Sequence, residues 1–357
     1  APRQRRCRHS NQPGDPPLCR SADPVFASCA LSLSLSLSLS LTPGLLRDDE
    51  VEKLRDRFDA LGRKAADGAR AAETHASVIV EDGRVVCPDL YGILDEALEQ
   101  RILPYVRART GAPHVAVADV LLRAYRHEDG RQALAPHFDA SSYCTVIIPL
   151  NPGEYGGGLY VQEGADAASR LLVDSSFERG DALMHRYDVM HGVEVTSGSR
   201  YSLVLWLGDC AASVRTGSAP WLAGAASAGS AYAQFLLAEA LKAGRHGYGQ
   251  NAAGAAELQQ RAAAQGHALS QHQLGMLFLT GNGVPKDGAR CGQLWRAAAE
   301  AGLEAAQASM GMCHVDGRLG CHVDEEAAVG WYERAARQGH AEAADLLRAW
   351  RKYGRFG

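Results

Sequence analysis

Two imidazoles, a carboxylate and an arginine stand at spacings that could hold a metal and an organic acid. His137-Phe138-Asp139 places a nitrogen ligand and an oxygen ligand at i and i+2, hence on one face of an extended chain. His191 comes later, at the head of another β-prone run. Two His and one carboxylate on one side of a cation leave positions open, the arrangement suited to Fe(II) and dioxygen. Arg200 follows His191 by nine residues, across the turn-forming Thr196-Ser-Gly-Ser199. It opens the run Arg200-Tyr-Ser-Leu-Val-Leu-Trp206, where Arg200 and Ser202 share a face. A fixed guanidinium beside a hydroxyl suits the far carboxylate of a dicarboxylic co-substrate.

A His-x-Asp triplet alone carries little information. His127-Glu-Asp129, His314-Val-Asp316 and His322-Val-Asp324 match it too, and the ordinary reading of such a triplet is a solvated loop. The triplet at 137–139 differs in leading into Tyr143-Cys-Thr-Val-Ile-Ile-Pro-Leu150 and in having the downstream His and Arg. His185 is the rival third ligand; its bland reading is a strand histidine bonded inside a barrel. The spacing to Arg200 favours His191.

The elements that must position these groups are mostly strands. Asp48 or Asp49 can cap a helix carrying Val51, Leu54, Phe58, Leu61 and Ala65 on one stripe. Two β-prone runs around Asp82-Gly83 predict a hairpin over 76–86. A second helix covers about 91–110. Short strands are then expected at 115–125, 143–150, 158–162, 170–173, 182–186, 192–195 and 200–207, nearly all bounded by Gly, Pro, Asn or Asp. That pattern predicts a sandwich or jelly roll, with the two helices over one face.

The run His137 to Asn151, then Glu154-Tyr-Gly-Gly-Gly-Leu159, Arg179-Gly-Asp-Ala-Leu-Met-His185, and Met190-His191 through Gly198-Ser-Arg-Tyr201 resembles the 2-oxoglutarate/Fe(II) dioxygenases. It is most similar to the catalytic domain of prolyl 4-hydroxylases and procollagen lysyl hydroxylases, over about 115–208. The resemblance implies a double-stranded β-helix (jelly roll), iron on His137, Asp139 and His191, and Arg200 on 2-oxoglutarate. It also places Tyr125 near an active-site tyrosine, with Ser202 beside the co-substrate. It further implies ascorbate as reductant and a peptidyl proline or lysine as substrate. Leu134 and Pro149 stand where many relatives carry tyrosine, and both departures concern the substrate pocket.

The last part of the chain repeats itself. From 212 to 357, 35 of 146 residues are Ala. Ala-Ala precedes Gly229, Gly266, Gly302 and Gly339 by the same offsets, a period of 36–37 residues. Leu237, Leu274, Met310 and Leu347 follow these glycines by eight, and Gln234, Gln271 and Gln307 recur as well. Such a period predicts stacked helix pairs in which Gly ends a helix and Ala allows close approach. Trp221, Trp295 and Trp331 read as core. With the loop Gly281-Asn-Gly-Val-Pro-Lys-Asp287, the segment resembles Sel-one-like repeats, short relatives of tetratricopeptide repeats. The resemblance implies an all-α solenoid that binds a protein partner. Cys313-His-Val-Asp316 recurs as Cys321-His-Val-Asp324, but not at the spacing of a known zinc module. His246, His267, His272 and His340 read as surface or helix-end residues.

Composition bounds the rest. Lys+Arg 37 against Asp+Glu 41 gives −4, and no basic stripe stands out, so a nucleic-acid binder is not expected. No apolar run is long enough for a transmembrane helix. Residues 31–41 alternate Leu and Ser, which reads as a translated simple repeat in preference to a designed strand; a signal peptide is the alternative. The expected plan is multidomain α and β: 1–45 a disordered or low-complexity segment, 46–211 an oxygenase domain, 212–357 helical repeats. The alternatives are a small-molecule hydroxylase of the same chemistry and a non-catalytic repeat scaffold. Every expected ligand precedes the repeats, so a chain cut after Cys210 is expected to keep an iron-binding barrel.

Overall fold

A computed structural model of the chain describes residues 39–66, 76–128 and 132–354. Ten strands appear among them: β1 (Leu39–Thr42), β2 (Ala76–Glu81), β3 (Arg84–Val85), β4 (Ala116–Arg126), β5 (Ala133–His137), β6 (Cys144–Pro149), β7 (Tyr155–Gln162), β8 (Arg170–Leu172), β9 (Ala182–Arg186) and β10 (His191–Gly208). The larger sheet runs β1-β9-β6-β10-β4-β2-β3, and the smaller is β5-β10-β7-β8, all neighbours antiparallel. The two faces form an unclosed jelly roll with β10 common to both. The turn expected at 196–199 does not end a strand. Ser197 and Gly198 pair with Gly156 and Tyr155 past a bulge, so one strand leaves the small sheet and enters the large one. Gly198 takes φ +70 there, which explains a glycine in mid-strand.

Side chains alternate along β10, and the alternation divides the core. Leu203, Leu205 and Leu207 point toward the helices, together with Leu122 and Ile148. Against them lie Val51, Leu54 and Phe58 of α1 (Asp48–Ala66), and Leu90 and Leu94 of α2 (Pro88–Ala97). The chain runs from α2 through a π-turn (Leu98–Ile102) into α3 (Leu103–Thr110). Pro104 has no N–H for an ordinary helical bond to the turn before it, which accounts for the wide turn. The opposite face of the large sheet meets the small sheet around Tyr125, Ile147, Leu159, Val161, Leu183 and Val193. The Asp82-Gly83 hairpin forms as expected. Leu39–Thr42 form a strand on β9, so the end of the Leu/Ser alternation pairs with the sheet; residues 1–38 lie outside the described residues.

Nine helices follow among the described residues. The short α4 (Ala211–Thr216) packs through Val214 on Gly83 and Gly208, on the barrel side. After it come α5 (Trp221–Ser227), α6 (Ala231–Ala243), α7 (Ala252–Ala264), α8 (Ala268–Thr280), α9 (Gly288–Glu300), α10 (Glu304–Asp316), α11 (Glu325–Arg337) and α12 (Ala341–Tyr353). Gly229, Gly266, Gly302 and Gly339 all adopt φ between +82 and +100 at a helix end. The recurring glutamines have a clear job: Nε2 of Gln234, Gln271 and Gln307 donates to the carbonyls of Ala226, Ala263 and Ala299, terminal acceptors of the preceding helix. Asn251, Asp287 and Asp324 cap the second helix of each pair. His267 and His340 cap first helices through Nδ1. Of the three tryptophans read as core, only Trp295 is fully buried.

Candidate metal centre

β5, the loop behind it and the start of β10 bring the candidate ligands together. His137 ends β5 opposite His191, and Asp139 lies just beyond. Ligand atoms of His137, Asp139 and His191 all fall within 4.8 Å of one another, the one such grouping of three or more among the described residues. His137 Nε2 is 3.6 Å from Asp139 Oδ1, and His191 Nε2 is 3.6 Å from Oδ2. Each imidazole is oriented by its own segment. Nδ1 of His137 donates to the carbonyl of Ala135 at 2.9 Å, and Nδ1 of His191 to that of Val189 at 3.2 Å. Both Nε2 lone pairs are thereby left facing the carboxylate, as a metal site requires. Thr145, on β6, donates its hydroxyl to Asp139 Oδ2 at 2.6 Å.

His185 comes from β9 and is fully buried. Its Nδ1 is fixed on the Arg186 carbonyl, and its Nε2 lies 3.8 Å from Asp139 Oδ2 with no hydrogen-bond partner. Its ring centroid is 4.2 Å from that of His191. The structure therefore gathers the triad with His191, and sets His185 behind it as a third imidazole with a free lone pair. Burial pushes His191 down to about 3, with His185 adding to the effect. Burial likewise lowers His185. For Asp139 burial acts upward, but His191, His185 and the Thr145 hydroxyl outweigh it and hold the carboxyl below its ordinary value. Neutral imidazoles beside an ionised carboxylate are the protonation state that binds a dication. The side chains of Asp139 and His191 are 8% and 5% exposed, while that of His137 is 34% exposed, so the centre opens on the His137 side.

Arg200 lies deeper, 1% exposed, and is not free. Its Nε donates to Asp174 Oδ2 at 2.6 Å and its Nη2 to Oδ1 at 3.3 Å. Asp174 also accepts from the Tyr155 hydroxyl and the Leu159 amide. Burial would lower the Arg200 pKa, but Asp174 and then Tyr155 raise it. A guanidinium has five N–H groups, so one edge is taken and others remain for a second carboxylate. Ser202 is wholly buried, and its hydroxyl has no partner. Tyr125 sits opposite Arg200 on β4, its ring 6.0 Å from the guanidinium carbon, and burial raises its hydroxyl pKa. No pattern in the sequence assigns a role to Asp174, Thr145 or Tyr155. Asp174 meets Arg200 only through the fold, with no periodicity to signal it.

The other His-x-Asp triplets do not assemble. His127 bonds the Val195 carbonyl, Asp129 lies outside the described residues, and His314 and Asp316 sit on α10. No helix among the described residues is long and apolar enough to cross a membrane.

A family model for the Sel1 repeat matches 231–267, 268–303 and 304–340, the same units that the recurring glycines delimit. Residues 231–340 are three Sel1 repeats. Chitin synthase regulatory factor 3 of Schizosaccharomyces pombe is 28% identical over 129 residues, 35% of this chain and 14% of that protein. The structure of c5321, a protective antigen of uropathogenic Escherichia coli, is 32% identical over 38% of this chain and 28% of its own, with a TM-score of 0.36. An oxidoreductase of the 2OG-Fe(II) oxygenase family from Burkholderia pseudomallei is 18% identical over 48% of this chain and 86% of its own, with a TM-score of 0.37. The chain thus spans a minor part of the first two relatives.

The Sel1 helices touch the barrel beside the triad. Phe138, between His137 and Asp139, meets Tyr232 at 5.6 Å and Phe235 at 6.2 Å between ring centroids. Tyr143 packs on Trp221 at 5.6 Å. The Ala167 amide donates to Gln338 Oε1 at 2.8 Å.

Proposed function

We propose that the barrel is an Fe(II)- and 2-oxoglutarate-dependent dioxygenase that hydroxylates a peptidyl proline or lysine, with ascorbate as its reductant, and that the Sel1 repeats hold a protein partner. The observation that carries the reading is the convergence of two Nε2 lone pairs and one ionised carboxylate at His137, Asp139 and His191. That donor set fits Fe(II), and the partnerless Ser202 hydroxyl beside Arg200 fits a carboxylate. Bound Fe(II) with 2-oxoglutarate supplies the oxidant for an unactivated C–H bond, with succinate and CO2 as coproducts.

The chain's own residues do the positioning. Ala135 and Val189 carbonyls fix the imidazoles, and Thr145 fixes the carboxylate. Asp174 holds the Arg200 guanidinium by one edge, leaving N–H groups for the far carboxylate of the co-substrate, with Ser202 as a second donor and Tyr125 as a wall. The apolar side chains between the sheets keep water from this end. Succinate formation that requires both iron and 2-oxoglutarate tests the enzyme against a scaffold. A mass gain of one oxygen on proline or lysine in a peptide library tests the substrate. Succinate without any modified peptide would favour a small-molecule hydroxylase.

A further inference from the structure

Of the triad, His137 lines a cleft of about 870 Å³ whose two walls come from different parts of the chain. One wall is β5, all five of whose residues line it. Among the described residues β5 pairs with β10 alone, so its other edge is open. The Gln132 carbonyl accepts from Val195, which turns residues 132 and 134 toward β10. By alternation the N–H and C=O of Ala133 and the N–H of Ala135 face the cleft, the Ala135 carbonyl being taken by His137 Nδ1, and both residues are exposed. An open strand edge is a template for an added extended chain. This one ends on His137.

The opposite wall is periodic. Gln265-Gly-His267, Ala301 with Leu303, and Gln338-Gly-His340 are equivalent turns of three successive repeats, and all reach the cleft. A surface repeated along a row of three units suits an elongated occupant more than a compact one. The charged residues lining the cleft are Glu163, Glu194, Glu304 and Arg170. Arg170 is 3.9 Å from Glu194 and lies over the Tyr160 ring, so the lining is acidic on balance.

We propose that this cleft takes an extended, basic polypeptide segment, paired as an added strand on β5 and covered by the Sel1 turns. The inference rests on the oxygenase reading for what happens at His137, and it makes the repeats a wall of the active site as well as a holder of a partner.

The test uses the full chain and two sets of short synthetic peptides with a central Pro or Lys, flanked either by Lys/Arg or by Asp/Glu. Ala133→Trp on the strand and Gln265→Trp on the facing turn alter exposed positions outside the triad, with Met312→Trp as a control on α10. Fluorescence anisotropy should show the basic set bound and the acidic set weaker. Both cleft variants should lose about tenfold or more in affinity, as when an interface anchor is blocked, and the control should not. Methylating alternate backbone nitrogens of a bound peptide should abolish binding in one of the two registers. Equal binding of acidic and basic peptides, no binding of either, or unchanged affinity in both variants would overturn the proposal, and tolerance of methylation in both registers would overturn strand pairing. Iron-dependent succinate formation without peptide separates the two readings. If it persists while peptides bind elsewhere, only the cleft assignment fails; if it is absent while the basic peptides bind as described, only the oxygenase reading does.

Discussion

Around Asp139 three imidazoles present lone pairs to one carboxylate, whose only side-chain hydrogen-bond donor among the described residues is the Thr145 hydroxyl. Such an arrangement is repulsive until a cation enters. Asp139→Ala removes the only negative ligand, and His191→Ala one neutral ligand; both should lose stoichiometric Fe(II) or Co(II), measured as metal retained after gel filtration. His185→Ala should retain the metal, with affinity weakened by roughly 10–100-fold at most, as for residues that support ligands from behind. Loss of metal in the His185 variant alone would reassign the third ligand. Arg200 carries a second prediction. The sequence treats it as a co-substrate anchor, whereas its pairing with buried Asp174 makes it structural too. Arg200→Ala strands a buried carboxylate and should cost about 3–5 kcal/mol in urea unfolding, while Arg200→Met with Asp174→Leu should cost much less. Both variants should show a strongly raised Michaelis constant for 2-oxoglutarate. Ser202→Ala should leave urea stability nearly unchanged, because its hydroxyl has no partner to lose, and weaken 2-oxoglutarate by roughly 1 kcal/mol.

Among the elements, the Sel1 helix pairs show a ladder with one rung missing. Gln265 Nε2 donates to Gln234 Oε1 at 2.9 Å, and Gln338 Nε2 to Gln307 Oε1 at 3.0 Å. In the middle repeat the donor's place is held by Ala301, and Gln271 Oε1 is buried without a partner. Ala301→Gln should supply the bond and raise stability by about 0.5–1.5 kcal/mol, seen as a higher urea midpoint at unchanged slope. A fall in stability would mean that the middle pair lacks the geometry of its neighbours. In the barrel, β10 is the element on which the site depends. Its first residue is His191, and the bulge near Ser197 sets where Arg200 and Ser202 enter the large sheet.

For the whole molecule, the relation of barrel to solenoid decides how separable they are. Phe138, Ala140 and Tyr187 share a core with Leu222, Ala226 and Phe235, so the His137-x-Asp139 segment leans on the repeats. A chain ending after Cys210 would expose that cluster. It should be poorly soluble or melt at lower temperature than the full chain, and hold iron more weakly, as calorimetry with and without metal would show. An undiminished melting temperature and metal affinity would restore the simpler picture of independent units. A milder probe is Gly302→Ala. Gly302 has φ +100, and a Cβ there would come within 2.6 Å of the Asp166 Cβ, so the substitution should loosen the solenoid from the barrel and raise protease sensitivity between them.

Much of the chemistry was legible because it sits in local patterns. A His-x-Asp triplet in an extended run needs only strand alternation to face one way, and the 36–37-residue period needs only the αL demand of a helix end to place its glycines. The hairpin at Asp82-Gly83 and the apolar stripe of α1 are local in the same sense. The rest depended on groups far apart in the chain meeting in space. Four His-x-Asp triplets look alike until β5 and β10 bring one of them against His191. Asp174 reaches Arg200 from 26 residues away, and a turn at 196–199 becomes part of a strand because β7 lies beside it to receive the hydrogen bonds. Long-range pairing is set by which buried polar groups find partners once the core closes, and no local rule encodes that. The sequence by itself determined the candidate ligand types, the repeat period and the fold class; only the tertiary structure decided which candidates converge, what holds the arginine, and that the repeats flank the cleft.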